Sequence, residues 1–309
     1  MRIAILGAGA MGSLFGGYLS LHNDVWLMDV DEGRVKKIQN IGIAIREQNR
    51  TIVYRPNAVS NSSNLHAMDL IIVFVKAMYT IAALSQNKNL IDSDTYIMTL
   101  QNGIGHEEKL RIFTDADHVI IGMTQHNSSI NADGSINHGG EGNTTIGILS
   151  GGSSRIQHIA DNFSTCGIQT TVYDEVKEQI WNKLFLNTAA SSLTAVLQVP
   201  LGYILDNPHA CALMEQLARE AVDVANSECK YQYKPDEVIS NIKQVLANAK
   251  GGYTSIYSDL KNGNRSEVDT ISGSVVSSAK QHGISAPCHE FIVSMIHALE
   301  DKQKSGKLE

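Results

Sequence analysis

A chain that opens with Arg2-Ile-Ala-Ile-Leu6 and runs at once into Gly7-Ala8-Gly9-Ala10-Met11-Gly12 has few folds open to it. Three glycines in this register are a weak signal alone, because glycine is common. The context carries more weight. Ile3, Ile5 and Leu6 read as a buried parallel strand, residues 11–21 as a helix of small and apolar residues, and residues 24–28 as a second strand. In such a strand–turn–helix, Gly7 makes the tight turn and Gly9 lets the backbone approach a pyrophosphate. Gly12 lets the helix pack closely on the strand, while the helix N-terminus offers free N–H groups to phosphate oxygens. A merely glycine-rich turn is the competing explanation. The pattern predicts a dinucleotide site built from Gly7, Ala8, Gly9, Ala10, Met11 and Gly12.

The rest of the first half keeps the same rhythm. A helix is expected over 32–40 and a hairpin over 41–46 and 51–54, around polar residues 47–50. Continuous apolar runs at 69–75, 95–100 and 119–123 read as buried parallel strands. Residues 128–142 are rich in Asn, Gly and Ser and read as loop, with a strand at 144–149. From residue 174 onward the strand signals fade. Helices are expected over 175–197 as one long element, then 208–229, 235–249, 266–282 and 287–302, several starting at proline. The expected architecture is α/β: an N-terminal Rossmann-type doubly wound sheet over 1–173, then an all-α domain over 174–305 that carries substrate. Ligands of open α/β sheets bind beyond the carboxyl ends of the strands, so the expected substrate site is the cleft between the domains.

Composition narrows the function classes. Of the 309 residues, 43% are hydrophobic and 18% charged, which describes a globular chain, and a net charge of −7 argues against a nucleic-acid partner. No apolar run approaches the length needed to cross a bilayer, so no membrane association is expected. Cys166, Cys211, Cys229 and Cys288 show neither CxxC pairing nor metal-ligand spacing, so no metal is expected. Scattered thiols and an opening strand in place of a leader point to a cytoplasmic protein. A homodimer is compatible with the helical half.

Chemistry-bearing residues follow. Asp29 closes the second strand, where a carboxylate accepts hydrogen bonds from adenosine ribose hydroxyls; a 2′-phosphate there wants a basic residue, so NAD is favoured over NADP. Asp29 or Asp31 would also suit as the cap of the next helix. Lys183, Asn187 and Ser191 stand at i, i+4 and i+8, a polar line on one helix face among Leu184, Phe185, Leu186, Ala189 and Ala190. Such a line meets either a ligand or solvent, with a snorkelling lysine as the plain alternative. A cluster at Tyr253, Ser255, Ser258 and Asp259 precedes Ser266, Glu267 and Asp269. The Ser266–Asp269 spacing is that of a helix cap, which by itself gives Glu267 a structural place in a first turn.

Taken in order, these segments resemble the ketopantoate reductase (2-dehydropantoate 2-reductase) family over essentially the whole chain. The resemblance rests on Gly7-x-Gly9-x-x-Gly12, Val75-Lys76, Leu100-Gln-Asn102-Gly103, His138-x-Gly140-x-Gly142, Trp181-x-Lys183-x-x-x-Asn187, and Ser255 with Glu267 twelve residues on. It implies a Rossmann domain followed by a 6-phosphogluconate-dehydrogenase-like helical domain, and an NAD(P)H-dependent reduction of a 2-oxo acid to the (R)- or D-2-hydroxy acid. It implies Lys183 as the general acid and Glu267 as the acidic active-site residue. Lys76 and Asn102 would lie by the nicotinamide and its ribose, while Asn187, Ser191 and Ser255, with Asn102, would hold substrate. Two departures bear on specificity: Ser191 and Leu201 stand where many members carry other polar residues, and Asp29 stands where NADP-preferring members carry a basic one. The NAD-dependent D-2-hydroxyacid dehydrogenases, of the D-mandelate type, share this plan. A β-hydroxyacid or 6-phosphogluconate-type dehydrogenase is the rival enzyme, and a non-catalytic NAD-binding redox sensor the rival class.

Overall fold

The opening pattern folds as its periodicity predicts. Strand β1 (Arg2–Leu6) lies between β2 (Asp24–Met28) and β6 (Leu70–Val73), both parallel to it, and Ile3, Ala4 and Ile5 are wholly buried. The computed structural model describes residues 1–47, 50–140 and 142–305. Gln48 and Asn49 of the expected polar turn, Glu141, and residues 306–309 lie outside the described residues.

The chain divides into two compact units. The first comprises Met1–Gln101 and His106–Gln179; the second comprises Asn102–Gly105 and Ile180–Glu309. The sequence puts the change of character at residue 173, whereas the division falls inside the helix at Val176–Leu186 and moves Asn102–Gly105 to the helical unit.

In the first unit the elements after β1 are α1 (Ala10–Leu19), β2, α2 (Glu32–Ile41), β3 (Ile43–Glu47), β4 (Arg50–Tyr54), β5 (Asn57–Val59), β6, α3 (Thr80–Gln86), β7 (Tyr96–Thr99), α4 (His106–Leu110), β8 (Val119–Thr124), β9 (Asn127–Ile130), β10 (Ile136–Gly140), β11 (Thr144–Ile148), α5 (Gln157–Thr165) and β12 (Thr170–Val172). Eight strands form the main sheet in the order β12-β11-β8-β7-β6-β1-β2-β5. It is parallel from β5 to β8, but β11 runs antiparallel to β8. A parallel pairing needs a long crossover, and the chain between β8 and β11 holds only the β9–β10 hairpin, which returns it to the same edge reversed.

That hairpin corrects the expectation of a loop over 128–142. With β3 and β4 it makes a second sheet, β4-β3-β10-β9, lying against α1. Polar ties replace apolar runs there. The Tyr18 hydroxyl on α1 donates to Glu47 and meets His138 Nδ1 at 2.8 Å, and His138 Nε2 meets His126 Nδ1 at 3.0 Å.

The second unit contains α6 (Val176–Leu186, from Ile180), α7 (Ser192–Leu197), α8 (Tyr203–Asp206), α9 (Pro208–Glu228), α10 (Pro235–Asn248), α11 (Ser255–Lys261), α12 (Ser272–His282) and α13 (Pro287–Ser305). Proline opens α9, α10 and α13, where its missing N–H costs nothing. Asn207 caps α9 by accepting the N–H groups of His209 and Ala210, each at 3.0 Å. Trp181, Leu184, Ala218, Val222, Ile256 and Val268 join one buried core.

Two helix expectations need correction. Residues 175–197 are not one α-helix, because a π-helical turn, Asn187–Ser191, separates α6 from α7. Residues 266–271 form turns, so α12 starts at Ser272: the Ser266 N–H and hydroxyl are both turned to Glu300, at 2.8 and 2.7 Å, and Ser266 does not cap a helix toward Asp269.

Candidate active site

The first unit carries the glycine turn at the carboxyl edge of its sheet. Gly7 has φ +101°, a left-handed conformation that side chains resist, and an added Cβ would stand 2.8 Å from the Val75 nitrogen. At Gly12 an added Cβ would sit 1.9 Å from the Gly7 carbonyl oxygen, so the helix packs on the turn only without a side chain. At Gly9 an added Cβ meets nothing within 4 Å. The open space there faces the first turn of α1, whose N–H groups are the natural ligands of a pyrophosphate.

Asp29 follows β2 and has three donors. Its Oδ2 accepts the Ala8 N–H at 2.8 Å and Arg34 Nη1 at 2.8 Å, and its Oδ1 accepts the Asp31 N–H at 3.0 Å. Asp31, not Asp29, caps α2 by accepting the Arg34 N–H. Beside Asp29 lies a cavity of about 230 Å³ lined by Leu6, Gly7, Val30, Ser60, Tyr79 and Ala83, among others. Sequence reasoning missed its far wall. The available signal was Tyr79 and the small pair Ala82-Ala83, which open the helix after Lys76 at the carboxyl end of β6. Gln101 was missed too: its side-chain amide donates to the Val75 carbonyl and accepts from the Thr99 hydroxyl at 2.8 Å, fastening the ends of β6 and β7.

The second unit gathers the remaining candidates. Lys183 is in the last turn of α6 and Asn187 opens the π-helical turn that Ser191 closes. A π turn takes more than four residues, so the i, i+4, i+8 line of a straight helix is broken at Asn187. Lys183 and Asn187 are half-buried and Ser191 is buried. The bulge is held from outside: the Thr254 hydroxyl caps α11, meets Thr194 Oγ1 at 3.1 Å and donates to the Ser191 carbonyl at 3.4 Å. Ser255, the first residue of α11, is therefore tied through Thr254 to the end of the bulge. Leu201 is anchored through its backbone, its N–H donating to Gly252 at 3.0 Å.

Burial pulls the Lys183 ammonium down to about 8, and the Glu267 carboxylate opposes that fall. The two groups are therefore electrostatic neighbours, with Glu267 on the turn after α11. Asn102 reaches the same region through Gly103, whose φ is +102° and whose missing Cβ would stand 1.6 Å from the Thr270 oxygen. Lys183, Glu267 and the Asn102 loop thus belong to one unit, which supplies an ammonium poised near neutrality, a carboxylate and amide groups. That set can bind an anionic oxo compound and deliver a proton. Among the described residues no group of three or more His, Cys, Asp or Glu is arranged to hold a metal.

Comparison with known proteins agrees over the whole length. Residues 3–151 match the family described as ketopantoate reductase PanE/ApbA, and residues 175–300 match its C-terminal part. The chain is similar to the 2-dehydropantoate 2-reductase of Halobacterium salinarum, 30% identical over 299 residues, covering 96% of this chain and 98% of that one. It is also similar to the 2-dehydropantoate 2-reductase of Lactococcus lactis, 28% identical with 99% and 100% covered. A ternary structure of D-mandelate dehydrogenase with NADH and anilino(oxo)acetate superposes with a TM-score of 0.91 at 29% identity, covering 98% of this chain and 99% of that one.

Proposed function

The chain belongs to the ketopantoate reductase family, and on that premise we propose that it reduces a 2-oxo acid to the (R)-2-hydroxy acid with NADH. It is an oxidoreductase acting on a CH–OH group, as its 2-dehydropantoate 2-reductase relatives are named. The observation that carries the reading is Lys183, a lysine brought to about 8 beside Glu267. A reduced nicotinamide supplies the hydride. The ketone oxygen then takes a proton from Lys183 Nζ, whose positive charge stabilises the oxygen as electrons arrive. Burial eases that donation near neutral pH, and Glu267 keeps the lysine from losing its proton too early. Asn102, Asn187, Ser191 and Ser255 supply amide and hydroxyl groups to orient the carboxylate and carbonyl.

The cofactor fits the first unit. Open space at Gly9, the start of α1 and the cavity beside Asp29 suit a pyrophosphate and an adenosine. Residues 7–12, Asp29 and Lys76 would hold the dinucleotide, with Tyr79 and Val30 walling the adenosine end. Asp29 favours NADH, and the D-mandelate dehydrogenase structures were determined with NADH. The substrate is 2-dehydropantoate or a branched or aromatic 2-oxo acid; Ser191 and Leu201 in place of larger polar groups fit an apolar tail. No helix among the described residues is long and apolar enough to cross a membrane. The test is steady-state reduction of ketopantoate, 2-oxoisovalerate, 2-oxoisocaproate and phenylglyoxylate with NADH and NADPH, by wild type and Lys183→Ala. Loss of turnover with NADH binding kept supports the reading, and unchanged turnover in Lys183→Ala overturns it.

A further inference from the structure

Glu300 is a carboxylate only 5% exposed, on the last helix of the chain, with no part in the chemistry above. Burying a charge is costly unless it is well paired, so its partners are informative. Its Oε1 accepts both the N–H and the hydroxyl of Ser266, at 2.8 and 2.7 Å, and Ser266 is itself 1% exposed. Its Oε2 meets His297 Nδ1 at 3.1 Å, and His297 Nε2 meets Asp269 Oδ1 at 2.9 Å. Two successive turns of α13 therefore grip both flanks of Glu267. Gln303, one turn further on, donates to the Leu260 carbonyl at 2.6 Å, at the end of α11.

We propose that Glu300 is a positioning residue for the reduction: through Ser266 directly, and through His297 and Asp269, it fixes the turn that presents Glu267 to Lys183. The proposal rests on the reading of Lys183 and Glu267 as the working pair. Apolar packing seats Val268 and Ile271 in the core, while the polar side of the turn is held from α13. Residues 266–271 lack regular helical geometry; the hydrogen bonds local to them run from Thr270 and Ile271 back to Glu267 and Val268, from the Val268 N–H to the Ser266 hydroxyl at 3.4 Å, and from Gly273 to Val268. The charged neighbours are Arg265 and Asp269 on the turn, His297 on α13 and Lys183 on α6. Burial opposes ionisation of Glu300, yet the Ser266 donors and His297 outweigh it and hold the carboxyl below its usual range, so the tether is ionised throughout the working pH range. A purely apolar contact would hold the turn with less angular control than two hydrogen bonds to one oxygen.

The consequence is readable in a pH profile. With the tether cut, Glu267 no longer sits in place to oppose burial, so Lys183 loses its proton at lower pH. The alkaline limb of kcat/KM for 2-oxo acid reduction should move toward acid by roughly one pH unit in Glu300→Ala, an opposite charge having been withdrawn. A misplaced pair should lower kcat about 10- to 100-fold, with the NADH dissociation constant little changed. Ser266→Ala, which keeps the backbone donor, should move the limb the same way by less, and it gives a reading if Glu300→Ala folds poorly. In Glu267→Gln the limb moves as well, and adding Glu300→Ala should move it no further. If Glu300→Ala and Ser266→Ala lower Tm but leave the limb where wild type has it, while Glu267→Gln moves it, the tether is structural only and the proposal falls alone. If Glu267→Gln also leaves the limb in place, the Lys183–Glu267 pairing is wrong and the tether falls with it.

Discussion

Arg34 donates to Asp29 Oδ2 at 2.8 Å, and the same oxygen accepts the Ala8 N–H from the glycine turn. The carboxylate expected to bind ribose hydroxyls is thus shared between the turn, the α2 helix start and a guanidinium. A carboxylate has about four acceptor positions, so with three donors in place one remains for a ribose hydroxyl. The positive charge beside it softens the repulsion that a lone aspartate would offer a 2′-phosphate. Arg34→Ala should therefore sharpen the preference for NADH, lowering kcat/KM for NADPH about tenfold more than for NADH. Asp29→Ser should leave Arg34 free for phosphate and reverse the preference, with some affinity for both cofactors lost because Ala8 loses its acceptor. Steady-state kinetics with both cofactors decide it, and a preference indifferent to Arg34 would count against the shared arrangement.

Lys183 also sets stability. Its folded pKa lies below the usual lysine value, at about 8, so folding disfavours its proton. The penalty is fully present below that value and is relieved as pH rises through it toward the unfolded value of about 10.4. Lys183→Met removes the buried charge and keeps the volume. At pH 7 it should raise Tm by a few degrees while abolishing reduction. Calorimetry across pH 6–10 should show the gain shrinking above about 8. A variant that is less stable at pH 7 would contradict a buried, penalised ammonium.

The glycines of the turn separate by function. Gly9→Ala adds a methyl to open space at an ordinary φ of −68°, so the fold should keep its Tm while the methyl stands where pyrophosphate would approach. KM for NADH should rise about tenfold or more. Gly12→Ala drives a Cβ into the Gly7 carbonyl and should lower Tm by more than about 5 °C. Thermal melts beside cofactor titrations distinguish the two. Equal losses of stability would mean that Gly9 is as tightly packed as Gly12.

Where one physical signal dominates, the sequence is easily read. Residues 70–73 are buried on both faces and spell Leu-Ile-Ile-Val, so the strand shows in its composition. The β9–β10 hairpin is half-exposed and tied by Tyr18, His126 and His138 in place of apolar alternation, and its Asn and Gly content imitates a loop. The π turn at Asn187–Ser191 holds no Pro or Gly to announce a break, and its far end meets Thr254, some sixty residues on. Ser266 carries the spacing of a cap yet spends both its donors on Glu300, thirty-four residues away. Lys183 was visible as a polar intruder on an apolar helix, but its partner Glu267 has no local signal. The site is legible where a residue contradicts its neighbours and silent where a distant contact decides.

His297 gives a last expectation, on stability and pH. Burial lowers its affinity for a proton, but Glu300 on one ring nitrogen and Asp269 on the other prevail and raise its pKa above the usual histidine value. A group raised in the folded state adds stability that is fully present below the unfolded value of about 6.5 and is lost as pH rises through the folded one. Glu300 works in the opposite sense: it is held below its usual range, so its contribution is present above about pH 4.3 and fades in stronger acid. His297→Gln keeps a polar side chain without the titrating charge. The Tm difference between wild type and His297→Gln should be a few degrees near pH 5.5 and should narrow steadily as pH climbs past 7. A difference that stays constant from pH 5.5 to 9 would show that the imidazole holds Asp269 and Glu300 without its charge.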